Sequence, residues 1–263
     1  MNTNNNIYTV VYTSVIVVVV AALLAFVSQS LKSRQQANEK ADTISQMLTA
    51  AGFGTKAEFQ KIGNAAVLDK YAQEIAEAFI VNPEGEKVAD LPLDEVYSPS
   101  QLKAQNYKLK GSDVPELPVF VFKNGLTVVP VYGAGLWGPV WGYVAFEEDG
   151  VTIKGAYFDH ESETAGLGAR IKDDSAFQAE FQGENADWEA EVKVFEIVKG
   201  GSPKNADGSE IMDNRIDAIT GATMTSIGLE NAIQTWLKGY SKYFSSKEQP
   251  APAEEAAEEV TEE

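Results

Sequence analysis

The residues best placed to do chemistry lie late in the chain, in the run Asp217-Ala218-Ile219-Thr220-Gly221-Ala222-Thr223-Met224-Thr225-Ser226. Three of these ten residues are threonines, and the run leads into an apolar segment, Ile227 to Leu237. Ala232, Ile233, Trp236, Leu237 and Tyr240 recur at the spacing of one buried helical face. The hydroxyls therefore stand just before the helix or inside its first turn. Backbone N–H groups there lack partners, and the positive end of the helix dipole favours an anion. Two readings follow. Thr220 or Thr223 is an N-cap whose oxygen accepts a bond from a free N–H, or the run is an anion site built on a helix start.

Two further stretches are dense in glycine. Tyr132-Gly133-Ala134-Gly135-Leu136-Trp137-Gly138-Pro139 lies between two apolar runs. Glycines so close together imply a tight bend or a backbone pressed against a ligand. Leu136 and Trp137 are either core residues at that bend or, for Trp137, a surface on which a planar ring stacks. His160-Glu161-Ser162-Glu163-Thr164-Ala165-Gly166-Leu167-Gly168 follows a strand-like run. Its plain reading is a turn, with Thr164 bonding locally and Gly166 and Gly168 supplying positive φ. His160 reads as a structural hydrogen-bonding residue rather than a catalyst.

Composition narrows the field. The chain of 263 residues has no cysteine, which rules out disulfides, thiolate metal sites and cysteine nucleophiles. His160 is its one histidine, and no Gly-x-Ser-x-Gly turn accompanies it, so a Ser-His-Asp hydrolase is disfavoured. A formal net charge of -18 argues against nucleic-acid binding, which needs clustered Lys and Arg.

The pattern Asp-x-x-Thr-Gly-Ala-Thr at Asp217 to Thr223 resembles the flavinylation motif of the FMN-binding domain family. Three more stretches extend the likeness: Gly-x-Gly-Leu-Trp-Gly at Gly133 to Gly138, His-x-x-Glu-Thr-x-Gly-Leu-Gly at His160 to Gly168, and Ile197-Val198-Lys199-Gly200-Gly201. From about residue 7 to 245 the chain resembles the C-subunit family of sodium-translocating NADH:quinone oxidoreductases. It departs at Ala165, where that family often has proline, and in its acidic tail. The resemblance implies FMN carried on Thr223 by a phosphoester bond. Thr220, Gly221 and Ala222 would surround the phosphate. Glu163 and Thr164 would offer polar contacts to the ring edge, Leu167 would cover its face, and Gly168 would allow close approach. Leu136 and Trp137 would complete the cradle, with Lys199 balancing flavin or phosphate charge. It further implies an electron carrier whose chemistry is the flavin's, and partner subunits of one complex. A separate flavin transferase would move FMN from FAD to the threonine, and the domain would be periplasmic on a bacterial inner membrane. The G-subunit family of the Rnf electron-transport complex shares the motifs at His160 to Gly168 and Asp217 to Thr223, whereas Gly-Leu-Trp at Gly135 to Trp137 and the longer N-terminal region favour the C-subunit family. A cofactor-free, membrane-anchored assembly domain is the reading from another class.

These motifs need a scaffold. Ile7 to Val27 contains no charged residue; about 21 residues make about 31 Å of helix, enough for a bilayer core of about 30 Å. Met1 to Asn6 has no Lys or Arg, so the run reads as a retained anchor rather than a cleaved signal. It contains no ionisable side chain for an ion path. Lys32, Arg34 and Lys40 follow it, and counting positive charges alone places the globular part in the cytoplasm, against the resemblance. Lys32 to Gly52 and Lys56 to Phe79 read as helices, and Leu91 to Gly111 as a loop-rich connection. Val119 to Phe122, Leu126 to Val131, Val140 to Phe146, Val151 to Phe158 and Val192 to Val198 read as strands. Asn124-Gly125 and Asp149-Gly150 are hairpin signals, so the pairing is antiparallel. Asp173 to Phe181 reads as a short helix, and the last helix ends near Phe244. The expected architecture is α+β: a transmembrane anchor over 1–31, a mainly antiparallel FMN-binding domain over 32–245, and an acidic, disordered tail over 246–263.

Overall fold

Asn6–Ala50 forms one uninterrupted helix, α1, of 45 residues in the computed structural model, which describes residues 6–190, 193–200 and 213–248. At 1.5 Å per residue it is about 68 Å long. Its apolar run is exposed to the surroundings, and burial begins only at Ala41. Ile44, Met47 and Leu48 then sit in the core. The helix therefore passes the boundary expected at residue 31 without a break.

The second expected helix is corrected. It divides into α2 (Lys56–Ile62) and α3 (Asn64–Glu74) at Gly63, whose φ of +83° suits no other residue type well. Its last residues become a strand, β1 (Ile75–Val81). Ile75, Ala78, Phe79 and Val81 are buried there by pairing with β3 (Leu117–Phe122). β2 (Lys87–Asp90) pairs with β1 and forms one edge of the sheet. The connection expected over Leu91 to Gly111 contains a further helix, α4 (Pro99–Lys110). It starts at a capping box of Ser98 and Gln101 with Pro99 in the first turn.

β4 (Thr127–Ala134), β5 (Pro139–Phe146) and β6 (Ile153–His160) complete a six-stranded antiparallel sheet of order β2-β1-β3-β4-β5-β6. Gly125 and Gly150 turn the chain with φ of +86° and +70°. β4 is longer than expected and takes Tyr132, Gly133 and Ala134 into the ladder. The expected helix over Asp173 to Phe181 is two short ones, α5 (Arg170–Asp173) and α6 (Ser175–Ala179), interrupted at Asp174. Of the strand expected over Val192 to Val198, only Glu196–Val198 is extended, as β7, while residues 191 and 192 lie outside the described residues. β7 pairs in parallel with β8 (Arg215–Asp217), a strand that no sequence signal marks.

α7 (Thr223–Glu248) runs four residues past the expected end. Ser246 to Glu248, expected in the tail, belong to this helix; residues 249–263 lie outside the described residues. Neighbouring residues on a strand face opposite ways, and β5 uses both faces. Trp141 meets α1, its indole N–H donating to Gln46 Oε1 at 3.2 Å. Gly133, paired with Val140, lies against Ala232 of α7. The end of α1 and α7 thus cover opposite faces of the sheet. Trp236, Leu237, Tyr240 and Phe244 of α7 are fully buried.

Candidate functional site

The three motif stretches meet at one end of the sheet. The bend after β4 carries Gly135 to Gly138, the loop after β6 carries Glu161 to Gly168, and the turn after β8 carries Thr220 to Ala222 into the first turn of α7.

Thr223 is the first residue of α7, and its side chain is exposed. Thr220 and Gly221 precede it in an exposed turn, where Gly221 adopts φ +85°. Ala222 is buried and closes the turn, its N–H donating to Ile219 O at 3.0 Å. The N–H of Ser226 reaches Ala222 O at 2.9 Å, while the N–H groups of Thr223, Met224 and Thr225 find no acceptor among the described residues. Neither Thr220 nor Thr223 caps the helix; the Ser226 hydroxyl instead accepts the N–H of Ile219 at 3.2 Å. The helix start is thus open to an anion.

Thr225 behaves differently. Two residues on, it is rotated by about 200° around the helix, and it is 1% exposed. Its hydroxyl donates to Glu163 Oε2 at 2.7 Å. Glu163 is itself buried, and its Oε1 accepts the backbone N–H of Trp137 at 2.9 Å. The N–H of Glu163 donates to His160 Nδ1 at 3.1 Å, and the Ser162 hydroxyl donates to Trp137 O at 2.8 Å. His160 holds a loop, as expected of a structural residue. Thr225 belongs to the motif run but is absent from the expected site; its phase along the helix was the available signal.

Thr164 is exposed and acts through its backbone, its carbonyl accepting from the N–H groups of Leu167 and Ala169 at 3.1 and 3.0 Å. Leu167 is half-exposed and lies over Gly221, 3.4 Å from where a Cβ would stand. Leu136 and Trp137 are exposed, Trp137 to 67%, so neither is a core residue of the bend. Met224 and Ile227, also absent from the expected site, are exposed on the first turns of α7. Lys199 is exposed in the turn after β7, one residue beyond Val198, which pairs with Asp217 and accepts the N–H of Ala218 at 2.7 Å. Backbone pairing thus brings Lys199 to the base of the threonine turn.

The glycines separate into two kinds. At Gly135 and Gly168 the nearest obstacle to a Cβ is the Glu163 carboxylate, joined at Gly168 by the Thr225 hydroxyl. At Gly138 it is the Ser162 hydroxyl, and at Gly228 the carbonyl of Ala134. These glycines are filled by protein, so Gly168, expected to admit a ligand, admits Glu163 and Thr225. At Gly166 nothing stands within 4 Å.

The group such a surface would accept has a negative end and an apolar planar body. The uncapped N–H groups beside Thr223 suit a phosphate. The exposed Leu136, Trp137, Leu167, Met224 and Ile227 suit a ring system, and Gly166 and Gly221 leave space between them. In kind, these residues match the phosphate and the ring of FMN.

A family model described as the FMN-binding domain matches residues 135–238, the segment that holds all three loops. A crystal structure of the Na(+)-translocating NADH-quinone reductase C-subunit from Parabacteroides distasonis superposes with a TM-score of 0.65 at 33% identity, covering 82% of this chain and 97% of that one. The structure of Shewanella oneidensis NqrC has the same fold, with a TM-score of 0.60 at 24% identity over 80% of this chain and 98% of that one. In sequence, the C-subunit from Vibrio vulnificus (strain YJ016) is 27% identical over 229 residues, 83% of this chain and 86% of its own length. The chain belongs to the C-subunit family of the Na(+)-translocating NADH-quinone reductases.

Proposed function

We propose that this chain is the membrane-anchored flavoprotein component of a Na(+)-translocating NADH-quinone reductase, and that it carries its FMN covalently on Thr223. The observation that carries the covalent reading is the contrast within one helical turn: Thr223 is exposed beside unpaired N–H groups, whereas Thr225 is buried and bonded. Of the two, only Thr223 offers a hydroxyl that a modifying enzyme can reach. In the attachment step Thr223 Oγ1 forms a bond to the flavin-side phosphorus of FAD. The pyrophosphate bond breaks, AMP leaves, and the hydroxyl proton passes to the transferase.

The bound flavin supplies one- and two-electron chemistry. The chain's own residues do the rest. The N–H groups of Thr223, Met224 and Thr225 would face the phosphodiester charge. Leu136, Trp137 and Leu167 would hold the ring, and Lys199 would add positive charge near the turn. The exposure of these residues leaves a ring edge accessible to a partner, as an electron carrier requires.

The partners are the other subunits of the complex. The apolar segment of α1 crosses the bacterial inner membrane once, with the domain on the periplasmic side. A count of Lys32, Arg34 and Lys40 opposes that side, but three charges are a weak determinant when a chain inserts beside partner subunits. No charged residue lies in the apolar run from Ile7 to Val27, so ion conduction belongs to the partners. The test is denaturing-gel flavin fluorescence on protein made with and without a flavin transferase. Fluorescence that needs the transferase and is lost in Thr223→Ala supports the covalent carrier; a dark wild-type band despite an active transferase contradicts it.

A further inference from the structure

Among the described residues of the three loops, Glu163 is the one buried acidic side chain. Both of its carboxylate oxygens are taken by protein donors, one in the bend after β4 and one in the first turn of α7: Trp137 N–H at 2.9 Å and Thr225 Oγ1 at 2.7 Å. A buried carboxylate is costly unless fully bonded, and removing either donor leaves an unsatisfied oxygen. The two bonds also account for a sequence feature. Gly135 and Gly168 have ordinary φ, so backbone conformation does not demand glycine at either position. A Cβ at either would enter the space of the Glu163 carboxylate. Those glycines make room for Glu163, not for a ligand.

We infer that Glu163 is a positioning residue that sets the distance between the Trp137 face and the first turn of α7, and so aligns ring and attachment point. The inference rests on the reading that the flavin is carried on Thr223. Glu163 does not act by touching the ring. Its side chain is buried and bonded within the protein; Trp137, whose N–H it holds, is exposed, and so is Thr223, two residues before its other partner Thr225. Thr225 serves the same function from the helix side, which gives its buried hydroxyl a role distinct from that of Thr223.

The test uses the full-length chain in detergent, made with the transferase, in four forms: wild type, Glu163→Ala, Glu163→Gln and Thr225→Val. Two signals are read: hydrogen exchange at the Trp137 amide, and visible-region circular dichroism of the attached flavin. Glutamine can remake both bonds, with its oxygen facing Trp137 N–H and its amide facing the Thr225 hydroxyl, so it should restore both signals. Loss of a buried hydrogen bond should speed Trp137 exchange by about tenfold or more in Glu163→Ala. The dichroism should change in Glu163→Ala and, in the same direction, in the near-isosteric Thr225→Val. Three results overturn the inference: Trp137 exchange in Glu163→Ala unchanged from wild type; a dichroism change in Glu163→Gln as large as in Glu163→Ala; or a flavin signal that responds to Glu163→Ala and not to Thr225→Val, which would make Glu163 a direct ring contact. A wild-type chain without covalent flavin would contradict the carrier reading instead, and Trp137 exchange would still decide the role of Glu163.

Discussion

Thr223 and Thr225 differ by two positions and by everything that matters for chemistry. One faces solvent at the helix start; the other is buried against Glu163. Sequence makes the motif legible and leaves its sides ambiguous, because a threonine on either side of the helix satisfies the same pattern. The glycines mislead for a related reason. A sequence shows that a side chain is missing but not what occupies the gap, and at Gly168 the occupants are Glu163 and Thr225. This predicts costs of different origin. Gly168→Ala should destabilise the domain by about 1–3 kcal/mol through overpacking. Gly166→Ala, in open space at φ +74°, should cost only the left-handed backbone penalty of about 1–2 kcal/mol. Both variants should lower the melting temperature, and the Gly168 change alone should also alter flavin dichroism.

At the scale of elements, the long amphipathic and strongly apolar segments were legible and the short or context-dependent ones were not. α7 declares its buried face, and the hairpins at Gly125 and Gly150 declare their turns. β1 reads as helix because Ile75 and Phe79 stand four apart; only pairing with β3 makes them strand residues. β7 and β8 are three residues each, too short for any period to show. α4 carried a readable signal in Ser98-Pro99-Ser100-Gln101, and Ser98→Ala should lower stability by about 1 kcal/mol in a melting experiment. Trp236→Ala should cost far more, about 3–5 kcal/mol, since that ring is fully buried, its indole N–H donating to Asn106 Oδ1 of α4 at 3.3 Å. Asp174 gives a pH effect. The Arg170 guanidinium bonded to it, with backbone N–H groups of α6, holds its carboxyl below the usual carboxylate range. A lowered folded pKa means stabilisation present above the unfolded value and lost as pH falls through the folded one. Acid below about pH 4 should therefore loosen α5 and α6, next to Gly168. Asp174→Asn should weaken that acid sensitivity in exchange measurements on this segment.

For the whole molecule, one continuous helix joins the membrane segment to the core, so the anchor and the flavin-bearing domain share a rigid element. The sequence made both halves of α1 legible, but not that burial starts only at Ala41, because Lys32 to Lys40 continues the helical pattern and meets the domain through polar contacts, Asn38 with Asn64 at 2.8 Å and Lys40 with Asp94 at 3.2 Å. Deleting residues 1–31 should release the protein from the membrane fraction while leaving the melting temperature of the domain unchanged, since no described side chain in that stretch is buried. The chain has no cysteine, so sidedness is directly measurable. Lys103→Cys, on an exposed position of α4, should react with an impermeant maleimide in cells whose outer membrane alone is permeable, as a periplasmic domain requires. The central claim, however, is attachment at Thr223, and peptide mass mapping of protein purified with an active flavin transferase tests it most directly. The account predicts that the peptide containing Thr223 gains the mass of FMN less one water, with the fragment ions locating it on Thr223. An unmodified peptide, or the added mass on Thr220 or Thr225, would contradict it.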